Sequence, residues 1–347
     1  MRKIKTAVAA FGMSGKVFHA LLIDTHPSFE LTAICERSKN EAEHLYPAAK
    51  IVKSFDELLA ISEIELVIIN TPDTTHYEYC KRALLANKHV VVEKPFVFTV
   101  AEGEELVTIA RERNRRLAVF QNRRWDGDFI TIQKILSENS LGRVVEFQST
   151  MPRFRNFIAP NTWKEQPTQH VGLTYNLGPH LIDQAVVLFG FPDAVFARIE
   201  KLRDGSQIDD YFQIQLFYPK LEVTLKASYL MREETPRFAI HGTLGSFVKY
   251  GLDPQEDALK AGKRPVNKHW GEDKPAKWGV LHTEINGEIV RYPVETEKGN
   301  WLAYYDNIAE YILNNAPLLT SAEDNLKLIA ILEAAFRSHD ENCVVYL

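Results

Sequence analysis

The sequence predicts an α/β fold whose first third is a doubly wound parallel sheet, and three observations predict it. From residue 4 to about residue 121, short apolar stretches alternate with longer helix-like ones, the pattern of βαβ units. Two of the apolar stretches, "LVIIN" and "HVVVE", are near-continuous rather than alternating, as strands covered on both faces should be. A glycine-containing turn, "AAFGMSGKVFHA", joins the first strand to the first helix, at the edge where such sheets bind ligands.

The strands are expected at 4–10, 31–35, 50–52, 66–70, 89–92 and 117–120, with helices at 16–25, 40–46, 55–61, 76–86 and 101–113. The remainder reads differently. Strand-like alternation occurs at 144–150, 194–201, 211–217, 222–229, 237–241 and 247–250, interrupted mainly by one helix through 180–189. The stretch 251–277 is rich in Lys, Pro and Gly and reads as a surface excursion. Two helices, 302–314 and 322–339, close the chain with Pro317 in the break between them. Two domains are therefore expected, 1–122 and 123–347, a division that suits a chain of 347 residues.

Composition removes several function classes. A formal charge of −5 gives no basic excess for nucleic acid or an anionic membrane. Cys35, Cys80 and Cys343 are odd in number and far apart, which suggests neither a disulfide framework nor a thiolate metal site. Reduced thiols, the absence of a signal-peptide core after Met1 and the absence of an 18-residue apolar window point to a cytoplasmic protein.

The glycine turn carries chemistry. Read against G-x-G-x-x-G it is Ala10, Gly12 and Gly15, with Phe11, Met13 and Ser14 between them. Gly12 lets backbone approach a pyrophosphate, Gly15 lets the helix pack on the strand, and the helix N-terminus faces the phosphates. An acidic residue, Glu36, follows 21 positions after Gly15 at the end of the second strand, the spacing of a dinucleotide-binding Rossmann unit. A carboxylate there accepts hydrogen bonds from the adenosine ribose and repels a 2′-phosphate, which leans toward NAD. Arg37, Ser38 and Lys39 follow at once and keep NADP open, because an Arg with a hydroxyl grips a phosphate well.

Parallel strands share one C-terminal edge, so Thr71, Pro72 and His76, then Glu93, Lys94 and Pro95, then Gln121 and Asn122 should line one cleft. A lone lysine at a strand end is ordinarily a snorkelling surface group. Three polar strand ends beside a nicotinamide make Lys94 a candidate catalytic group instead, with Pro95 stopping the strand by removing an N–H and fixing φ.

"EKP" after the fifth strand, the glycine turn, "TPDTTH" and a later "LGPHLIDQAVVLFG" together resemble the glucose–fructose oxidoreductase/inositol dehydrogenase/MocA (Gfo/Idh/MocA) family. "NRRWDGDF" is similar to its branch containing scyllo-inositol dehydrogenases. The resemblance spans essentially the whole chain and implies a Rossmann domain followed by an α/β domain built on an open, mostly antiparallel sheet, commonly assembled as a homodimer or homotetramer. It implies that His180 is the proton-transfer residue, that Lys94 polarises the reacting oxygen and that the position four before His180 is Asp. Here that position is Asn176, an amide that hydrogen-bonds but brings no charge. Either the proton route differs, or Asp183 or the substrate supplies the charge, or catalysis is impaired.

The implied activity is hydride transfer between NAD or NADP and a secondary alcohol or ketone of a sugar, sugar acid or cyclitol, without a metal. Candidate substrate contacts are Lys94, Asn176 and His180, with Trp125, Arg153, Arg155, Trp163, Lys164 and His170 around them. Trp163 stacks on a sugar face or fills a core, and Tyr305 is either a cleft-edge or a core aromatic. The basic residues from 153 to 170 suit an acidic sugar or a solvated loop. The competing class is a weakly active NAD(P)-binding sensor on the same scaffold, which Asn176 keeps open.

Overall fold

The computed structural model describes residues 2–160, 162–167 and 170–347, with backbone only at Trp163. In chain order the first elements are β1 (Ile4–Val8), α1 (Ala20–Thr25), β2 (Phe29–Cys35), α2 (Glu41–Leu45), β3 (Lys50–Val52), α3 (Phe55–Leu59) and β4 (Leu66–Ile69). They continue as α4 (His76–Leu85), β5 (His89–Val92), α5 (Val100–Glu112), β6 (Leu117–Val119) and α6 (Gly127–Ser137). Then come β7 (Val144–Pro152), α7 (Leu173–Phe189), β8 (Ala194–Glu200), β9 (Tyr211–Tyr218), β10 (Leu221–Ser228), β11 (Phe238–Gly242) and β12 (Gly245–Lys249). The chain ends with α8 (Gln255–Lys260), β13 (Gly279–Ile285), β14 (Glu288–Val294), α9 (Leu302–Asn314), α10 (Ala322–Glu341) and β15 (Val345–Tyr346).

One compact unit comprises residues 1–125, 255–270 and 300–326. Its six strands are all parallel, in the order β3-β2-β1-β4-β5-β6. β4 is buried along its whole length, and β5 is buried apart from His89, as both-face coverage requires. The helix after the glycine turn opens as a π-turn, Gly15–His19, before settling into α1. α5 starts on a capping box, with the Thr99 side chain accepting from Glu102 N–H while Glu102 reaches back to Thr99 N–H.

The second unit comprises residues 126–254, 271–299 and 327–347. Its nine strands run β14-β13-β12-β11-β7-β10-β9-β8-β15, antiparallel except for the β7–β10 pair. α7 packs against β7, β9 and β10 of this sheet. The protein is thus an α/β chain with a parallel sheet and a mostly antiparallel one.

Several expectations change. Residues 255–270 and 300–326 belong with the first unit, although chain order placed them in 123–347. The reason is burial: Leu259, Trp301, Tyr304, Tyr305, Ile308 and Ala309 complete the apolar cluster of Ile4, Val8, Leu22 and Phe29. The stretch 251–277 is accordingly more than a surface excursion, since it contains α8 with Gln255 and Leu259 fully covered. α6, β13 and β14 were missed, and α7 begins seven residues earlier than the sequence suggested.

Candidate active site

The glycine turn is shaped by contacts the sequence only partly signals. A Cβ on Gly15 would lie 2.0 Å from the Ala10 carbonyl oxygen and 2.7 Å from the Asn70 side-chain nitrogen, so only glycine lets the helix start so close to the strand. Gly12 differs, because among the described residues nothing lies within 4 Å of the Cβ it lacks. Its backbone is open to a ligand, as a pyrophosphate needs, so the turn fits a dinucleotide. Asn70, just past β4, braces the turn at Ala10: Oδ1 accepts the Ala10 N–H at 3.0 Å and Nδ2 donates to the Ala10 carbonyl at 2.8 Å. Asn70 was not singled out in advance, although a polar residue ending "LVII" was its signal.

Gly15→Ala is therefore expected to lower stability by at least ~1–3 kcal/mol, the scale of overpacking, because backbone must move. Thermal denaturation checks this. An unchanged Tm would show that the turn relaxes freely.

Met13 is exposed at the tip of the turn, while the Ser14 hydroxyl donates to Glu93 Oε1 at 2.5 Å. The same carboxylate oxygen is 3.0 Å from His19 Nε2, and His19 Nδ1 is 2.7 Å from the Tyr305 hydroxyl. Burial opposes ionisation of Glu93, yet the His19 ring, the Lys94 ammonium and the Ser14 hydroxyl hold its carboxyl down at about 2. Burial raises the Tyr305 phenol well above its usual range, so it stays a donor. His19 and Tyr305 are fully buried. Glu93 therefore acts as a hub that ties the glycine turn to α9, and the core reading of Tyr305 holds. His19 carried no signal beyond being a polar residue on an apolar helix face.

Beyond Glu93, Oε2 accepts the Lys94 N–H at 3.2 Å, and the Lys94–Pro95 peptide is cis. Lys94 is half-buried at the C-terminal end of β5. His76, expected to meet the cofactor, is fully buried instead. Its Nδ1 lies 2.8 Å from the Pro95 carbonyl and its Nε2 3.1 Å from the Thr71 carbonyl. It clamps the two strand-end turns together, because a ring at the start of α4 has two carbonyls within reach. The Thr71 hydroxyl pairs with Thr75 at 2.6 Å, and the Pro72 carbonyl accepts the Thr75 N–H at 2.8 Å. Asn122 is buried at the end of β6.

Glu36 also departs from expectation. It is buried, and its two carboxylate oxygens accept the N–H groups of Glu41 and Ala42, each at 3.1 Å. The cause is local. Asn40 makes no side-chain cap on α2, so the open N–H groups of that helix take the Glu36 carboxylate. Arg37, Ser38 and Lys39 remain exposed at the same strand end.

In the second unit, α7 is helical from Leu173, so Asn176 and His180 share a face at i and i+4. Pro179 sits inside the helix and removes one N–H immediately before His180. The first turn is fixed by Asp209, whose Oδ2 accepts both the N–H and the hydroxyl of Thr174 at 2.7 Å. Gly172, at φ 148°, is needed there because a Cβ would lie 1.7 Å from Asp209 Oδ1. Burial raises the Asp209 carboxyl. Further along, Arg237 donates to Gln184 at 2.7 Å and to Ser149 at 2.5 Å, anchoring α7 to β7. His180 and Asp183 are buried, whereas Asn176 is half-exposed.

Each expected substrate contact for which the structure describes a side chain has its own local surroundings. Trp125 packs edge-on against Tyr304 with ring centroids 5.6 Å apart, and Arg153 is held through its backbone to Ser228 and Met231. Arg155 lies over the Tyr229 ring, Lys164 is exposed, and His170 Nδ1 is 2.9 Å from the Tyr175 hydroxyl. The Trp163 side chain lies outside the described residues. The basic segment is held down by a group sequence reading missed: buried Arg203 donates to Asp210, Glu165 and the Phe157 carbonyl at 2.7–3.1 Å.

Comparison with known proteins agrees with this geometry. Residues 4–121 match a family model described as the oxidoreductase family's NAD-binding Rossmann fold, and residues 133–347 match its C-terminal alpha/beta domain. The chain belongs to the Gfo/Idh/MocA oxidoreductase family. Within it, the chain is 38% identical over 344 residues to scyllo-inositol 2-dehydrogenase (NADP(+)) IolW of Bacillus subtilis, covering 99% of this chain and 96% of that one. A solved structure from Bacteroides fragilis NCTC 9343 is 53% identical with a TM-score of 0.92 and full coverage of both chains. The structure of YvaA from Bacillus subtilis has a TM-score of 0.95 at 38% identity, covering 100% of this chain and 99% of that one. As a Gfo/Idh/MocA member the protein is an oxidoreductase with a nicotinamide-cofactor domain. Among the described residues, no helix is long and apolar enough to cross a membrane, and no group of three or more His, Cys, Asp or Glu is placed to hold a metal.

Proposed function

We propose that the protein oxidises a secondary alcohol of a cyclitol or sugar, or reduces the corresponding ketone, with NADP(H) favoured over NAD(H). The observation that carries the reading is the pairing of an open glycine turn with Lys94 at the end of β5, on the same parallel sheet. The residues that would hold the cofactor are Ala10 to Gly15 at the pyrophosphate, Arg37 to Lys39 at the adenosine end, and Thr71, Pro72, Glu93, Lys94 and Asn122 along the strand ends. When bound, the nicotinamide exchanges hydride with the carbinol carbon.

The protein's own groups handle charge and proton. The Lys94 ammonium stabilises negative charge developing on the reacting oxygen. His180 takes the hydroxyl proton in oxidation and returns it in reduction. Asn176, one turn before His180, hydrogen-bonds the ring or a substrate hydroxyl without adding charge. The identity of a relative as a scyllo-inositol dehydrogenase supports a cyclitol or sugar substrate. Exposed Ile285, Ile289 and Tyr292 on β13 and β14 support assembly of copies of this chain, measurable by light scattering.

The cofactor preference follows from Glu36. Its carboxylate is committed to α2, which leaves Arg37, Ser38 and Lys39 to face a 2′-phosphate, and the relative IolW is named for NADP(+). NADPH is expected to bind at least ~10-fold tighter than NADH, and Arg37→Ala to remove about 1–2 kcal/mol from NADPH alone. Isothermal titration of both cofactors decides it, and NADH binding as tightly would return the preference to NAD.

The activity itself is tested by a screen of cyclitols, aldoses, sugar acids and their keto forms, followed by nicotinamide absorbance. Turnover of a polyol that is lost in Lys94→Ala supports the proposal. Because Asn176 stands where the family resemblance implies an Asp, a weakly active sensor is the second reading, favoured if the cofactor binds but no polyol turns over.

A further inference from the structure

We propose that the opposite edge of the parallel sheet carries a second, anion-binding site, built from Arg111, Arg115 and Arg116 and suited to a phosphate group. α5 ends at Glu112 and β6 begins at Leu117, so these arginines sit where strands start. Together with Tyr311 of α9 they line a cleft of about 180 Å³. The catalytic edge is elsewhere: β5 runs from His89 beside Arg116 to Val92 before Lys94, about 10 Å of strand at ~3.3 Å per residue.

The arginines are unequally committed. Arg116 donates to Asn315 and lies over the Tyr311 ring, 4.7 Å from its centroid. Arg111 is exposed and sits 4.0 Å from Glu323, which offsets one of the three positive charges. Arg115 makes one long bond to the Asn114 carbonyl, at 3.3 Å, while its Nε is buried and meets no acceptor among the described residues. That leaves the terminal nitrogens of its planar fork lightly committed, and a phosphate oxygen is the acceptor such a fork fits best. The neighbouring His89 reports the local field. Burial first, then Arg115, Arg116 and Arg2, lower its imidazole to about 4. His89 is thus neutral, its Nδ1 accepting the Arg116 N–H at 2.9 Å, and it adds no charge of its own.

One guanidinium over a tyrosine and a second beside it in the same cleft, neither paired with a carboxylate among the described residues, match a tetrahedral dianion, either free phosphate or a phosphorylated small molecule. The test titrates inorganic phosphate into the unsubstituted protein, Arg115→Met and Arg37→Met at constant ionic strength held with sodium chloride. Arg37→Met controls for phosphate settling at the cofactor end. The proposal expects saturable binding in the unsubstituted and Arg37→Met proteins and at least tenfold weaker binding in Arg115→Met, whose NADPH affinity is unchanged. Tighter binding of a phosphorylated sugar than of phosphate, lost with the same substitution, would identify the organic source. Absence of saturable binding, or equal binding by Arg115→Met, would overturn it.

Discussion

A Lys94→Ala protein is expected to fold normally, keep most of its cofactor affinity and lose at least ~10²-fold in kcat. The size follows from when the interaction acts. In the proposed reaction Lys94 would meet a neutral hydroxyl in the ground state and a developing alkoxide in the transition state, so its attraction would grow along the reaction. Removing one such group from a water-poor site costs about 3–4 kcal/mol in the barrier. Structure should be spared, because Lys94 is half-buried at a strand end and β5 is held by β4 and β6. Glu93 keeps its contacts to Ser14 and His19 without the ammonium. Steady-state kinetics with a verified substrate checks the split between kcat and KM. A near-normal kcat would make Lys94 a snorkelling surface group.

His180→Ala should cost ~10²–10⁴-fold in turnover, the usual range for a positioned acid–base group. Asn176→Asp tests the assignment more subtly. A carboxylate one helical turn before His180 stabilises the imidazolium, so the base form appears only at higher pH. Oxidation needs that base form, and the acidic limb of its pH–rate profile should therefore move upward. A limb that stays in place, at an unchanged rate, would remove Asn176 from the proton path. Activity gained on polyols that the natural protein ignores would favour the sensor reading.

The parallel sheet was legible because short, mainly apolar strands alternate with helices, and the 50–52 and 89–92 segments match the structure end for end. α6 was not, since Ile130, Thr131 and Ile132 form a β-branched run of weak helix preference, which burial of Phe129, Ile132 and Ile135 overrides. β14 is exposed along most of its length and offers no alternation to find. Gly178 and Pro179 look like breakers and hid the first turn of α7, which Asp209 caps from a distant loop. Among site residues, Lys94 and the glycines followed from local pattern. Asn70, His19 and Arg203 did not, because each acts through partners dozens or hundreds of positions away. Glu36 shows the same limit: spacing located the carboxylate, but its contacts to the open N–H groups of α2 were not legible.

The central claim is direct hydride transfer between a carbinol carbon and the nicotinamide. It is tested most directly with scyllo-inositol, or another polyol the screen turns over, deuterated at its carbinol carbons and incubated with NADP⁺. Mass spectrometry of the cofactor should show the reduced form carrying one deuterium, formed at least ~10²-fold more slowly in Lys94→Ala. Unlabelled reduced cofactor, or none formed from any polyol, would contradict the account.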